Sequence, residues 1–285
     1  MNKIEVEYVQ HCGDDLMIAN AARVSFGKKS EWLYDLCDCC PDAKDNCEEC
    51  TCESGRYLKD ADKRLIQFLA RGMQSKDYEE FVSSVASAGS AVNSDSGMFK
   101  DDERLEELLW KFRDLGEHKS PFNHTFITVH VKAPISTARQ LVKHRFMPWN
   151  EISGRYIEFK RGDVYIPNEF RSKAVDKKQG SGAALTGEAH DNLTAIFLDN
   201  AEKAFDDYQN ALKNGLCEEQ ARNLLPLGLM TEWYWSGTLG AFADMLKLRL
   251  ANDAQKESQM VAQKVADIIK PLFPVAYDAL VERSF

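Results

Sequence analysis

Residues 139–156 limit what this chain can become more than any other stretch. The run is Arg139-Gln140-Leu141-Val142-Lys143-His144-Arg145-Phe146-Met147-Pro148-Trp149-Asn150-Glu151-Ile152-Ser153-Gly154-Arg155-Tyr156. Its period is helical before Met147 and irregular after Pro148. It therefore predicts a helix that carries polar residues into a loop, where function concentrates on a rigid support. Phe146, Trp149 and Tyr156 are interleaved with the charges, and aromatics of this size are expected to be covered rather than left on a free surface. By i, i+3 and i+4 spacing, Arg139, Gln140 and Lys143 share a helix face. Arg145, Asn150, Glu151, Ser153 and Arg155 leave the helix together. Guanidinium forks and backbone N–H groups suit phosphate oxygens, and an amide suits a pyrimidine edge. Glu151 is costly to bury among cations unless paired, so it either holds Arg145 or Arg155 or binds a ribose hydroxyl. The stretch reads as an anion or nucleotide site. The competing reading is a salt-bridged surface loop.

The surrounding composition sharpens this. The chain has 285 residues, 44% hydrophobic and 28% charged, ample for a core in one large domain or two small ones. A net charge of −9 argues against wholesale binding to nucleic acid or an anionic membrane, so a local cationic run points to a small anion. No apolar run approaches the ~18 residues of a membrane span. The N-terminal residues alternate charge and lack an apolar h-region, so no signal peptide is expected and the location reads as cytoplasmic. The eight Cys are then thiols or metal ligands rather than disulfides.

Along the chain, residues 3–10 alternate as a strand, and Met17 to Val24 follow as a helix with Asp14 or Asp15 as N-cap. Residues 28–98 differ from the rest and read as an insertion. They hold a Cys-rich window, a helix over roughly Lys59 to Ala70, and a small-residue linker over 83–97. The main domain, 1–27 and 99–285, resumes with a helix over Asp101 to Leu115 that carries Leu105, Leu108, Leu109 and Phe112 on one face. A turn at His118 to His124 leads to a β-branched strand, Thr125 to Lys132, and Pro134 opens the next helix. Val164 to Pro167 reads as a strand, and Ser172 to Glu188 as a mobile loop. Helices are expected over His190 to Lys213, Glu218 to Leu225, 238–248 and 253–284, with a strand at Met230 to Trp235. Strands early and helices late give an α+β class, an antiparallel or mixed sheet with long helices.

Cys37, Cys39, Cys40, Cys47, Cys50 and Cys52 offer six thiols in one window, enough for a tetrahedral structural zinc with two to spare. The spacing is not that of a standard finger. A redox-active cluster or an unstructured reduced insertion are the other readings. Elsewhere the bland readings lead: His11 and His130 are structural, and His190 is a solvated helix cap. Cys12 and Cys217 are buried thiols, and Trp233, Tyr234 and Trp235 belong to the core or a subunit interface. Gly180-Ser181-Gly182 with Gly187 is no dinucleotide fingerprint, because no strand leads into it.

The motifs together resemble a known family. His144-Arg145, then seven residues, then Ser153, enclosing Asn150-Glu151-Ile152-Ser153-Gly154-Arg155-Tyr156, closely resembles the signature of the flavin-dependent thymidylate synthases. Ala21-Ala22-Arg23-Val24-Ser25-Phe26, Ser120-Pro121-Phe122-Asn123-His124, Leu225-Pro226-Leu227 and Leu248-Arg249 with Ala254-Gln255 resemble further family motifs in the right order. The resemblance implies a homotetramer with active sites shared between subunits. It implies FAD, dUMP, methylenetetrahydrofolate and NADPH as the working molecules. By position, Arg139, Gln140, Lys143, Glu151, Ser153, Gly154, Arg155, Arg222 and Arg249 match the dUMP places. His118, Ser120, Lys143, His144, Arg145, Glu151, Thr238, Gly240 and Asp244 match the flavin places. Arg249 and Ser153 are the candidate catalytic residues. Arg249 would stabilise charge developing on the pyrimidine. Ser153 has no partner base nearby in sequence and would bind dUMP by hydrogen bonding rather than attack it. Arg222 and Arg249 lie far along the chain and are expected from a neighbouring subunit.

The chain also departs from the family pattern. Lys143 stands where Arg is usual, Pro148 where a small polar residue is usual, and Asp253 where His is common. Thr238 and Asp244 replace amides. These departures keep open a related flavin- or folate-using enzyme acting on another pyrimidine nucleotide. A zinc-binding interaction protein with a phosphate anchor is the third reading.

Overall fold

A computed structural model of the chain describes residues 3–34, 55–71, 118–175 and 180–282. The Cys-rich window, the linker at 83–97 and the helix expected over 101–115 lie outside the described residues. In chain order the elements are β1 (Glu5–Cys12), α1 (Asp15–Arg23), β2 (Leu33–Tyr34), β3 (Arg56–Tyr57), α2 (Asp60–Arg71), β4 (Phe126–Pro134), α3 (Ile135–Leu141), β5 (Trp149–Glu151), α4 (Glu188–Lys213), α5 (Glu218–Ala221), β6 (Met230–Gly237), α6 (Leu239–Arg249), α7 (Lys256–Leu272) and α8 (Pro274–Tyr277). They fall into two compact units, one from 1–11 and 126–269, the other from 12–125 and 270–285.

The first unit is built on a four-stranded sheet, order β1-β4-β6-β5. Strands β4 and β6 pair antiparallel from Ile127↔Gly237 to Pro134↔Met230, and β5 adds antiparallel with Trp149 opposite Trp235. Alternation decides the faces: Ile127, Val129 and Val131 are fully buried, as are Trp233 and Trp235, while Tyr234 is half exposed. Trp149 stacks on Trp233 with ring centroids 4.3 Å apart, and meets Trp235 edge-on. These rings fix where β5, and so the loop after it, can sit. In α4, Phe205 and Tyr208 bury against Val164, Ile166, Ala221 and Leu229. The strand expected at 164–167 reduces to a single bridge, Val164 to Leu229. Pro167 has no N–H with which to extend the pairing.

Two further expectations change here. Helix α3 ends at Leu141 rather than running to Arg145. The chain turns with the His144 N–H donating to the Leu141 carbonyl, and Phe146 adopts φ 60, a left-handed conformation that stops helical winding. The helix expected over Glu218 to Leu225 is α only through Ala221, then a 3-10 turn at Arg222–Leu224. Leu225 precedes Pro226 and is held extended, at ψ 146.

In the second unit, Asp14 caps α1 by accepting the Met17 N–H at 2.9 Å. Helix α2 falls within the expected insertion, yet it buries Ile66, Leu69 and Ala70 and packs on α1. Its Asp62, fully buried, pairs with Arg23 at 2.6 Å and accepts the Ser30 hydroxyl. A buried carboxylate held this way ties α2 to α1 and to the segment between them. Asp15 accepts the backbone N–H groups of Val275 and Ala276 at the start of α8, and burial raises its pKa to about 6. Cys12 and Cys217, expected to be buried, are both exposed free thiols.

Candidate active site

In the first unit, one cavity of about 540 Å³ gathers much of the cationic stretch. Arg139 reaches it from α3, Ser153, Gly154 and Arg155 from the loop after β5, Glu151 from β5, and Arg222 from the 3-10 turn after α5. Its volume lies in the range of small-molecule sites, roughly 300–1,000 Å³. Arg139, Arg155 and Arg222 are exposed, and none is ion-paired among the described residues. Arg155 instead lies over the Tyr156 ring at 5.0 Å, and Arg222 donates to the Glu219 carbonyl at 3.2 Å. Three guanidiniums facing one hollow, none of them ion-paired among the described residues, suit an anion such as a phosphate.

The geometry explains two residue identities. A Cβ on Gly154 would stand 2.5 Å from the Phe159 ring and 3.4 Å from the Arg222 stem, so only glycine lets the loop approach both. Glu151 holds neither Arg145 nor Arg155, contrary to one expectation. Its carboxylate accepts the Thr231 hydroxyl at 2.6 Å and the Trp149 indole N–H at 3.0 Å, both from the sheet. It is an acidic group fixed at the cavity wall. The Ser153 hydroxyl accepts from Arg155 and has no His or carboxylate partner among the described residues. That is the arrangement of a hydrogen-bonding group rather than a nucleophile.

Gln140 and Arg249 do not enter this cavity. They line a second one of about 480 Å³, with Arg171, Asp253, Gln255 and Lys256. Arg139 and Gln140 thus diverge, because adjacent helical residues point about 100° apart and the shared face expected for them does not form. Arg249 donates from Nε to His144 Nε2 at 3.0 Å and from Nη2 to the Gln140 carbonyl at 3.0 Å. The first bond requires a neutral imidazole with its proton on Nδ1. Burial, then the Arg249 charge, pulls the His144 pKa down to about 4, while Asp244 opposes the shift. The geometry and the electrostatics therefore agree on one protonation state.

The remaining expected residues divide by unit. Lys143 and Arg145 are exposed in the turn after α3, and His144 is half-buried beside Trp235. Thr238 caps α6, its hydroxyl accepting the Ala241 N–H at 3.2 Å, and Gly240 is buried in the first turn. His118 and Ser120 belong to the second unit. There the His118 N–H donates to the Leu69 carbonyl, its ring stacks on Phe68, and Ser120 opens a 3-10 turn. Arg222, expected from a neighbouring subunit, reaches the first cavity within one chain. Phe146 and Tyr156, expected to be covered, are 88% and 77% exposed in the single chain. Thr231 and Phe159, which shape the first cavity, and Arg171, Glu257 and Ser258 beside the second, carry no motif that would single them out.

The family described as thymidylate synthase complementing protein matches residues 7–275. A flavin-dependent thymidylate synthase of Thermus thermophilus is 39% identical over 183 residues, 64% of this chain. The match spans 65% of that relative's length. The flavin-dependent thymidylate synthase of Thermosipho africanus is 30% identical over 213 residues, 75% of this chain and 90% of the relative. Among solved structures, the UMP/dUMP methylase PolB of Streptomyces cacaoi bound with 5-Br dUMP has the same fold, with a TM-score of 0.66 at 23% identity over 98% of this chain and 95% of that one. A match over nearly the whole chain, with relatives at 30% and 39% identity, shows that the chain belongs to the flavin-dependent thymidylate synthase family.

Proposed function

We propose that the protein methylates dUMP reductively to dTMP, with methylenetetrahydrofolate as carbon donor and NADPH-reduced FAD as hydride donor. The observation that carries this reading is the convergence of Arg139, Ser153, Arg155 and Arg222 on one cavity, with Glu151 fixed at its wall. The three guanidiniums take the phosphate of the nucleotide, and Ser153 donates a hydrogen bond to it. Arg249 faces the pyrimidine. Its charge, oriented by neutral His144, stabilises the negative charge that develops on the ring as C5 becomes nucleophilic. No cysteine nucleophile is needed for that activation.

The donor set fits a flavin nucleotide. Lys143 and Arg145 are exposed cations suited to its diphosphate, and His118, His144, Ser120, Thr238, Gly240 and Asp244 are the further places implied by the family. When bound, the flavin supplies the hydride that completes the methyl group. Two features support a homotetramer with shared sites. The two cavities have no lining residue in common, and Phe146 and Tyr156 stand exposed on the single chain. A neighbouring subunit would then present its Gln140 and Arg249 to the phosphate cavity of the first. The Cys-rich window stays a candidate zinc module on its spacing. The synthase domain is taken as 1–27 and 99–285, with 28–98 inserted. Because α2 is buried, a test of the insertion's role should delete 35–54 only.

Turnover of dUMP with methylenetetrahydrofolate, NADPH and FAD tests the reading directly. The purified protein is expected to be yellow and to bleach on NADPH addition. A colourless protein that binds neither FAD nor dUMP would sink it. Lys143, in place of the usual Arg, favours one variant of the reading, an enzyme for another pyrimidine nucleotide. Product analysis with dUMP against UMP and dCMP separates the two.

A further inference from the structure

Behind Gln140 runs a connected set of polar side chains whose starting point has one polarity. Arg171 Nη2 donates to Glu257 Oε1 at 2.7 Å. A carboxylate can only accept. Gln255 therefore turns its nitrogen toward it, and Nε2 donates to Glu257 Oε2 at 2.9 Å. That leaves Gln255 Oε1 for Gln140, whose Nε2 donates to it. Gln140 Oε1 in turn accepts from Ser258 Oγ at 3.1 Å. Ser258 is fully buried and Glu257 nearly so. Amide orientation is ordinarily ambiguous, but here the carboxylate at the far end removes the ambiguity. One N–H and one lone pair of the Gln140 amide are left, and Gln140 lines the same cavity as Arg249.

We propose that Arg171, Glu257, Gln255 and Ser258 are positioning residues that hold the Gln140 amide in one orientation, and that this orientation selects uracil over cytosine. The inference rests on Gln140 contacting the pyrimidine of the substrate. Uracil offers N3–H as a donor beside a carbonyl acceptor, which a fixed amide satisfies with its oxygen and its nitrogen. Cytosine in the same pose sets its N3 lone pair against the amide oxygen. A free amide would flip and accept cytosine, its nitrogen donating to N3 and its oxygen accepting from the exocyclic amine. A locked one leaves a buried polar group unpaired, the most effective basis for rejecting a close analogue.

The test measures dUMP and dCMP binding to the full-length, FAD-loaded protein as wild type, Glu257→Gln and Ser258→Ala. Glu257→Gln keeps the shape but adds a donor, so Gln255 and Gln140 can flip together. The ratio Kd(dCMP)/Kd(dUMP) is expected to fall about tenfold in Glu257→Gln, the effect of one hydrogen bond gained by the wrong base. Ser258→Ala should shift it less, in the same direction. General loosening would weaken both nucleotides in parallel, so an unchanged ratio in folded variants overturns the proposal while wild-type dUMP binding preserves the nucleotide site. If Glu257→Gln does not fold, the ratio in Ser258→Ala decides. Wild-type protein that binds neither nucleotide overturns both.

Discussion

The two cavities of the first unit are built on opposite terms. The first holds Arg139, Arg155 and Arg222 as exposed cations, without ion pairs among the described residues. The second holds Arg249 and Gln140 by hydrogen bonds to His144 and to side chains reaching back to Arg171. Loose cations gain most from an arriving phosphate, because no ion-pair partner must be given up. Tethered groups gain in orientation, because their geometry is set before the ligand comes. The difference teaches that one chain can keep loosely held cations and pre-oriented polar groups apart in space.

Substitutions that treat the two cavities differently test that separation. The largest effect is expected from Arg249→Ala, which should abolish dTMP formation while leaving NADPH oxidation by the flavin largely intact. Equal loss of both half-reactions in single-turnover assays would contradict the role. Next, Arg155→Ala and Arg222→Ala should act mainly through KM for dUMP, by roughly 10–100-fold each, as expected for a lost charge-assisted bond. Their penalty should shrink as salt is raised. A fall in kcat alone would merge the two cavities into one role.

Gly154→Ala probes the packing of the first cavity. The added methyl meets Phe159 at 2.5 Å, so the loop must shift, at a cost of about 1–3 kcal/mol in stability by chemical denaturation. Tolerance of the methyl with unchanged dUMP affinity would show that the close approach is not needed.

The second cavity should instead be sensitive to acid. The folded chain holds His144 near pKa 4 against an ordinary 6.5, so the unfolded chain binds more protons between those values. Stability contributed here is complete above about pH 6.5 and is lost as pH falls toward 4. Protonated His144 also repels Arg249, so kcat should drop over the acid side of the same window. His144→Asn, whose side-chain oxygen can accept the same bond, should flatten that acid limb. The smallest effect is expected from Thr231→Val, which removes one hydrogen bond to Glu151 and should cost about 1 kcal/mol by the same denaturation assay.

Much of the fold was legible because local periodicity reports local structure. Alternation marked β4, an aromatic run marked β6, Asp14-Asp15 marked the start of α1, and Pro134 marked the start of α3. The signature run also supplies Arg139, Glu151, Ser153, Gly154 and Arg155 to the wall of the first cavity, and their chemical types suit an anion whatever their spacing. The errors have two causes. Some are local: Pro167 cut the strand at 164–167 to a bridge, and Phe146 and Pro226 set where two helices stop. Others depend on contacts distant in sequence: Glu151 found Thr231 rather than an arginine.

By itself, the sequence determined the α+β class, the cationic run and the family, because these rest on composition, period and local motif. The tertiary structure alone decided that adjacent Arg139 and Gln140 serve different cavities. It also decided that Arg222 joins the first within one chain and that Gln140 is locked through Gln255 to Glu257. A helix turns adjacent residues about 100° apart, and which neighbours wait on each side is set by chain that arrives from eighty or more residues away.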